Sequence, residues 1–267
     1  MIDYRGVNKQ LRRVADRSEA LAVAAAEGAV IITGVAPGPE AARQLAHDVF
    51  GERALAIPES AMVREGGMMD RRPEGLDNTT RSKPHTDGYS YGDECPDYFL
   101  LACEHHSEVG GESLMLDGYA ILDALAADPA SAWISEALPT RVIDQTEPGK
   151  RTSLSTIVQT APSGRRMLRR TADQFPLPDS DDPERDAEMI RRWKEAIDQA
   201  ADAVSGAERP KLLAGEAVLV DNYRMFHGRE AYEDLDRLMW RVWVWSDEAR
   251  GVPEGMLHSD SRYADQR

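Results

Sequence analysis

The sequence predicts a mainly β protein whose helices pack on the outside of an antiparallel sandwich or an open barrel. Three observations indicate this fold class. Helical patterns occupy the front of the chain, many short hydrophobic runs bounded by turn residues follow, and one long helical pattern interrupts them. Short strands separated by turn signals are typical of sandwiches and barrels, and helices bury their apolar stripe against such a sheet.

The front of the chain is predicted to hold two helices and one buried strand. The first helix covers residues 8–28, with Asn8 as its capping residue and Gly28 as its end. The continuous apolar run 29–33 is predicted to form the strand. A second amphipathic pattern follows and predicts a helix over residues 39–50.

The middle of the chain begins with a turn-rich segment, residues 57–84, in which no hydrophobic period is evident. So long a segment without a period is predicted to be a functional loop or lid, with disorder as the alternative. Strands are then predicted over 98–105, 112–117, 140–145, 153–160, 165–171, 216–222 and 237–245. A helix is predicted over 118–128, and an inserted segment, 182–206, holds the longest one, over 182–204. We expect a single domain over residues 1–267.

Composition excludes several classes of protein. The 267 residues carry a net charge of -15, which repels nucleic-acid phosphates and anionic membranes. No apolar run approaches the roughly 18 residues of a transmembrane helix, and the first residues lack a signal-peptide pattern. Cys95 and Cys103 are the two cysteines, too few for a disulfide framework, so a cytoplasmic protein is expected.

A His-x-Asp motif is the first candidate for metal chemistry, which must draw on six histidines. His85 and Asp87 stand two residues apart in an extended segment, so their side chains point the same way. One more imidazole from a distant strand would complete a 2-His-1-carboxylate set, which leaves the other iron positions open. The motif alone is weak, because surface loops use the same residues.

Two further patterns lie near the end of the chain. His227 follows a hydrophobic strand and precedes a glycine, a pattern that surface and core histidines also show. Arg237, Met239 and Arg241 alternate along the last predicted strand and therefore face one side of it. Burying two arginines is costly without anions, which favours a carboxylate-binding site. The alternative is an edge strand with a solvated polar face.

A Gly-Gly turn supplies the fourth pattern. Gly110 and Gly111 precede Ser113, which begins a predicted strand. The turn can aim the Ser113 hydroxyl into a cavity, or it can simply close a hairpin.

Taken together, these motifs resemble the TauD/TfdA-like (taurine dioxygenase-like) family of Fe(II)/2-oxoglutarate-dependent dioxygenases. The resemblance covers most of the chain. It runs from EGAVIITGV (27–35) through HTD (85–87) and GGES (110–113) to AVLVDNYRMFHGR (217–229) and DRLMWR (236–241). The iron motif and the arginine motif are specific in combination, although each is weak separately.

The resemblance implies a double-stranded β-helix, a cupin-like jelly roll with flanking helices. It implies that His85, Asp87 and His227 bind Fe(II), with 2-oxoglutarate and O2 as cosubstrates. Arg237 matches the residue that binds the distal carboxylate of 2-oxoglutarate, and Ser113 stands where the family usually has threonine. Related halogenases carry a small residue at the position of Asp87, so hydroxylation or desaturation is implied rather than chlorination.

The expected substrate is a small anionic or zwitterionic molecule, with a free amino acid or a derivative as first choice. Arg241 matches a position that in some family members binds an anionic group of the substrate. Asp93 and Glu94 follow the iron motif and can meet an ammonium group, and Arg81 lies close to that motif in sequence. The alternative is that Asp93 and Glu94 are plain surface residues and that Arg241 pairs with an internal carboxylate.

Two other functions remain open from the sequence. A cupin-like metal enzyme that does not use 2-oxoglutarate would leave Arg237 unexplained. A non-catalytic jelly-roll binding module would leave the two histidines and Asp87 unexplained. The sequence does not determine the oligomeric state.

Overall fold

The computed structural model describes residues 2, 4, 6–8, 10–58, 62–65, 79–204 and 206–254. Among them, the α-helices are α1 (Arg17–Glu27), α2 (Pro39–Phe50), α3 (Gly118–Ala127), α4 (Ala132–Ala137) and α5 (Pro183–Ala203). The β-strands are β1 (Arg13–Val14), β2 (Ala29–Thr33), β3 (Ala54–Ala56), β4 (Met62–Glu65), β5 (Ser82–His85), β6 (Tyr98–His105), β7 (Ser113–Asp117), β8 (Ile143–Asp144), β9 (Leu154–Ser155), β10 (Val158–Thr160), β11 (Arg166–Leu168), β12 (Glu216–Asp221), β13 (Met225–Arg229) and β14 (Leu238–Ser246).

The larger sheet has seven strands in the order β1-β2-β12-β6-β14-β3, and β4 also pairs with β14. Its pairs are antiparallel except β1 with β2. Strand β12 shows how its residues alternate between two cores. Ala217 and Leu219 pack in the cluster that holds α1 and α2, whereas Val218 and Val220 pack in the cluster between the sheets.

The smaller sheet has the order β5-β13-β7 and faces the larger one. Leu116 and Phe226 point outward and pack with α3 and α5. Met115 and Met225 point inward and pack with side chains of the larger sheet. The result is two facing, largely antiparallel sheets with helices outside both, which confirms the mainly β jelly-roll architecture. His227 is the register partner of Met115, so its side chain also points between the sheets.

The first helix begins at Arg17 rather than near residue 8. Residues 13 and 14 instead form β1, whose register with β2 buries Val14. Asp16 is the true cap, because its side chain accepts a hydrogen bond from the Ser18 amide at 2.9 Å. Gly28 ends the helix as predicted, with φ of 94°.

The strands predicted on either side of the Gly-Gly turn do not form a hairpin. Strand β6 pairs with β12 and β14, whereas β7 pairs with β13 in the other sheet. The predicted strands over 140–145, 153–160 and 165–171 shorten to the pairs β8 with β9 and β10 with β11. The longest helix, α5, matches its prediction to within one residue at each end.

The predicted loop over residues 57–84 lies largely outside the described residues, and two of its described parts are the strands β4 and β5. Whether the chain is one domain stays a prediction. No helix in the described part of the chain is long and apolar enough to cross a membrane. The cytoplasmic location also stays a prediction.

Candidate active site

Strands β5 and β13 place His85 and His227 opposite each other. The two residues are register partners, and their ring centroids lie 4.3 Å apart. Asp87 follows β5, and its Oδ1 lies 3.6 Å from Nε2 of His85 and 3.4 Å from Nε2 of His227. One ligand atom from each of the three residues lies within 4.8 Å of the others. The three groups therefore converge on one point, as the ligands of a single ion must.

The second nitrogen of each imidazole determines how the ring can bind a metal. Nδ1 of His85 lies 2.9 Å from the Lys83 carbonyl, so a proton on Nδ1 leaves the Nε2 lone pair available. The ring of His227 packs on Phe99, with centroids 4.5 Å apart. Burial lowers the pKa of His227, the charge of His85 lowers it further, and Asp87 opposes both effects. A neutral imidazole is the form that binds metal.

Asn222 holds the main chain of Asp87 from both sides. The Asp87 amide donates to Oδ1 of Asn222 at 2.9 Å, and Nδ2 of Asn222 donates to the Asp87 carbonyl at 3.1 Å. The same Nδ2 also donates to the Pro96 carbonyl at 2.7 Å. No sequence motif pointed to Asn222 as a neighbour of Asp87. Its position directly after a buried strand and shortly before His227 was the available signal.

The Asp87 carboxylate is buried and accepts two side-chain hydrogen bonds. Nε1 of Trp243 donates to Oδ2 at 2.7 Å, and Nη1 of Arg241 donates to Oδ1 at 3.1 Å and also lies 3.0 Å from Oδ2. Burial alone would raise the pKa of Asp87, but the charges of Arg241 and His227 hold that pKa well below its usual range. Asp87 is therefore ionised. Arg241 does pair with an internal carboxylate, as the alternative interpretation expected.

Arg237 is a buried cation, with 3% of its surface exposed. Its guanidinium lies over the Tyr232 ring, 4.9 Å from the centroid, and its Nε has no hydrogen-bond partner among the described residues. No described carboxylate forms an ion pair with it. Since a buried charge without a counterion is costly, this site suits an anion supplied by a ligand.

The Gly-Gly turn lies directly against Arg237. A Cβ on Gly111 would lie 3.3 Å from Nε of Arg237, and a Cβ on Gly110 would lie 2.0 Å from the Ala231 carbonyl oxygen. Only glycine permits so close an approach at a positive φ. Ser113 is buried at the start of β7, two residues after the turn. The turn therefore positions a hydroxyl and a guanidinium in the same region instead of closing a hairpin.

The other predicted substrate residues lie in ion pairs outside the triad. Nε of Arg81 lies 3.2 Å from Oε1 of Glu230. Oδ2 of Asp93 lies 3.1 Å from Nη2 of Arg250, and Oε2 of Glu94 lies 3.2 Å from another arginine. These three residues are not contacts of the triad in this arrangement, and a substrate role for them stays a prediction.

Comparisons with known proteins agree with this geometry. The model of the family described as "Taurine catabolism dioxygenase TauD, TfdA family" matches residues 4–243. No curated protein sequence matches the chain. The fold resembles three solved structures, each under 20% identical to this chain.

The first is asparagine oxygenase in complex with Fe(II), 2S,3S-3-hydroxyasparagine and succinate, with a TM-score of 0.60, 18% identity and coverage of 82% of this chain and 74% of that one. The second is AAD-2 in complex with Mn(II) and N-oxalylglycine, with a TM-score of 0.65, 15% identity and coverage of 92% and 99%. The third is a variant of the non-heme iron oxygenase OrfP in complex with (3S)-hydroxy-L-Arg, with a TM-score of 0.58, 17% identity and coverage of 86% and 78%. Because the family model spans most of the chain, the protein belongs to the taurine catabolism dioxygenase TauD, TfdA family.

Proposed function

We propose that this protein is an Fe(II)- and 2-oxoglutarate-dependent oxygenase that hydroxylates a C–H bond of a free amino acid or a close derivative. The observation that carries the proposal is the pairing of a metal-binding triad with a buried arginine that has no described counterion. The triad alone suits many metal enzymes. The unneutralised Arg237 supports a carboxylate cosubstrate, which a cupin-like enzyme without 2-oxoglutarate would not need.

In this proposal His85, Asp87 and His227 hold the iron. Two neutral imidazoles and one carboxylate are the donor set that suits ferrous iron with open positions, and their convergence fits one ion. The bound iron, together with 2-oxoglutarate and O2, supplies the oxidative chemistry. The protein contributes the orientation of the three ligands, of which Asp87 is buried and His85 is partly exposed.

Arg237 and Ser113 are the proposed holders of the distal carboxylate of 2-oxoglutarate. A guanidinium matches a carboxylate with two parallel hydrogen bonds, and a serine hydroxyl can add a third. The Tyr232 ring beneath Arg237 and the glycine turn beside it restrict where the guanidinium can lie. The Arg237 guanidinium would therefore already be in place when the cosubstrate binds.

Arg241 is the proposed anchor for an anionic group of the substrate. It lies at the Asp87 carboxylate, so a group bound to it would sit next to the metal ligands. Amino acid ligands in asparagine oxygenase and in OrfP support the choice of an amino acid. An ammonium site at Asp93 and Glu94 requires both to exchange their present arginine partners.

An anaerobic absorption titration tests the proposal. Fe(II) and 2-oxoglutarate together should give a visible band in the wild-type protein, and a panel of amino acids should shift it. Arg241→Gln should keep the band and weaken the shift, because it retains the triad and removes the cation. If neutral hydrophobic compounds shift the band and amino acids never do, the substrate class is wrong. If no band forms at all, the oxygenase assignment is wrong.

A further inference from the structure

The two carboxylate oxygens of Asp87 lie in different surroundings. Oδ1 faces both coordinating imidazole nitrogens, at 3.6 Å and 3.4 Å. Oδ2 accepts the indole N–H of Trp243 at 2.7 Å, and that contact is buried. The difference matters because a carboxylate that used both oxygens on one ion would fill an additional coordination position.

Trp243 is held rigidly enough to set this geometry. It is 3% exposed, and β14 fixes it opposite Phe99 in the register with β6. Its ring makes edge contacts with Tyr91 and Trp245, with centroids 6.1 Å apart in each case. An indole N–H can donate a hydrogen bond but cannot accept one. Trp243 can therefore bind the ionised Oδ2 of Asp87, but it cannot act as a metal ligand itself.

The main chain of Asp87 is fixed independently by the two hydrogen bonds to Asn222. With the backbone held, the rotations about the two side-chain bonds of Asp87 are the freedom that remains. The indole N–H restricts these rotations at Oδ2 alone, whereas Nη1 of Arg241 contacts both oxygens, at 3.1 Å from Oδ1 and 3.0 Å from Oδ2.

We propose that Trp243 is a positioning residue that holds Oδ2 of Asp87 and so keeps this carboxylate a ligand through one oxygen. The inference rests on the proposed function, in which the triad binds iron. Its consequence is that the coordination positions for the cosubstrate and O2 stay open. Trp243 thus acts on the metal site through Asp87.

The test compares Trp243→Phe with Trp245→Phe. The first removes the N–H and keeps an aromatic ring. The second removes a neighbouring indole N–H that donates to the Glu94 carbonyl at 2.9 Å in a part-buried contact, so it is a control for the loss of one indole hydrogen bond on the same strand. Mn(II) binding is measured anaerobically by competition with a chelator, followed by 2-oxoglutarate binding to the Mn(II)-loaded proteins.

We expect the Mn(II) dissociation constant to rise about 10-fold to 100-fold in Trp243→Phe, as for other partners of metal ligands, and to change by no more than about twofold in Trp245→Phe. The affinity for 2-oxoglutarate should fall further in Trp243→Phe, since the released carboxylate can take a second position. Equal or tighter Mn(II) binding in Trp243→Phe than in Trp245→Phe overturns the inference. If the wild-type protein binds no Mn(II), the inference and the proposed function both fail.

A measurement on the wild-type protein covers the case in which Trp243→Phe does not fold. The indole N–H resonance of Trp243, assigned through the backbone, should stay protected from solvent exchange with and without diamagnetic Zn(II). Exchange as fast as that of an exposed indole, or loss of protection when Zn(II) binds, would show that the Asp87 contact does not hold. That result would contradict the proposal for Trp243 but not the proposed function, because the wild-type protein would still bind metal.

Discussion

The two imidazoles at the candidate iron site are oriented by different contacts, and both direct Nε2 towards Asp87. His85 is oriented by the Lys83 carbonyl at Nδ1, and His227 is oriented by packing on Phe99. The carboxylate between them is ionised because the charge of Arg241, the largest effect that lowers the pKa of Asp87, opposes the effect of its burial. The site is thus arranged to bind a cation through neutral imidazoles and one anion.

Replacing either histidine with alanine should abolish Fe(II) binding. His85→Ala and His227→Ala each leave two ligands, too few to hold ferrous iron in competition with water. His105→Ala is the control, because His105 is exposed and lies outside the triad. Anaerobic iron titration checks this, and full turnover by either purified triad variant would rule out the assignment.

Arg237→Leu should weaken 2-oxoglutarate binding by about 10-fold to 100-fold, because that is the contribution of hydrogen bonds to a charged group. Ser113→Ala should weaken it by about fivefold, because a neutral hydroxyl contributes less. Removing an unneutralised buried charge should also raise the free energy of unfolding in the absence of ligands. Calorimetric titration and chemical denaturation measure the two effects. If Arg241→Leu abolishes 2-oxoglutarate binding and Arg237→Leu does not, the roles of the two arginines are reversed.

At the scale of elements, local sequence patterns predicted the helices and the buried strands better than they predicted which strands pair with each other. The buried strand β2, the helices α2 and α5, and the end of α1 at Gly28 follow from periodicity and from glycine conformation. Of the two interpretations of the Gly-Gly turn, the one in which it closes a hairpin was wrong, because strand partners are set by contacts distant in sequence. Asn222 and Trp243 were missed as neighbours of Asp87 for the same reason, since their roles exist only once the sheets face each other.

The Gly-Gly turn gives a prediction at this scale, in which Gly110→Ala is compared with a control in another turn, Gly164→Ala. The control places a Cβ in open space at φ of 85°, so it should lower the free energy of unfolding by about 1–3 kcal/mol, the usual strain of a left-handed residue. Gly110→Ala bears the same strain at φ of 76° and adds a contact of 2.0 Å with the Ala231 carbonyl oxygen. Denaturant unfolding should therefore show a clearly larger loss for Gly110→Ala. Equal losses would mean that the turn does not need its close approach.

For the whole molecule, the proposed iron ligands tie together two strands of the smaller sheet. His85 ends β5, His227 lies in β13, and Arg237, the residue proposed to bind the cosubstrate, precedes β14 of the larger sheet. The sequence predicted the layered fold through the order of its helical and strand patterns, and these residues through their resemblance to a family pattern. The sequence left the substrate undetermined. It does not show the ion-pair partners that Asp93, Glu94 and Arg81 have in the folded chain.

Ligands that bridge these elements should stabilise the whole fold. Mn(II) at about 100 times its dissociation constant should raise the free energy of unfolding by about 2.7 kcal/mol, and 2-oxoglutarate at the same excess over its own dissociation constant should add a similar amount. The 2-oxoglutarate part of this gain should shrink in Arg237→Leu, whereas the Mn(II) part should persist. Thermal unfolding with each ligand alone and with both separates the two contributions. A 2-oxoglutarate gain that survives in Arg237→Leu places its carboxylate elsewhere.

Mass spectrometry of the product, with labelled O2 and with chloride present, tests the central claim most directly. Fe(II), 2-oxoglutarate and the amino acid that shifts the absorption band are incubated with the wild-type protein. Because Asp87 occupies an iron position as a carboxylate, the product should gain one labelled oxygen or lose two hydrogens, with succinate formed in proportion. A chlorinated product, or an oxidised product formed without consumption of 2-oxoglutarate, would contradict the account.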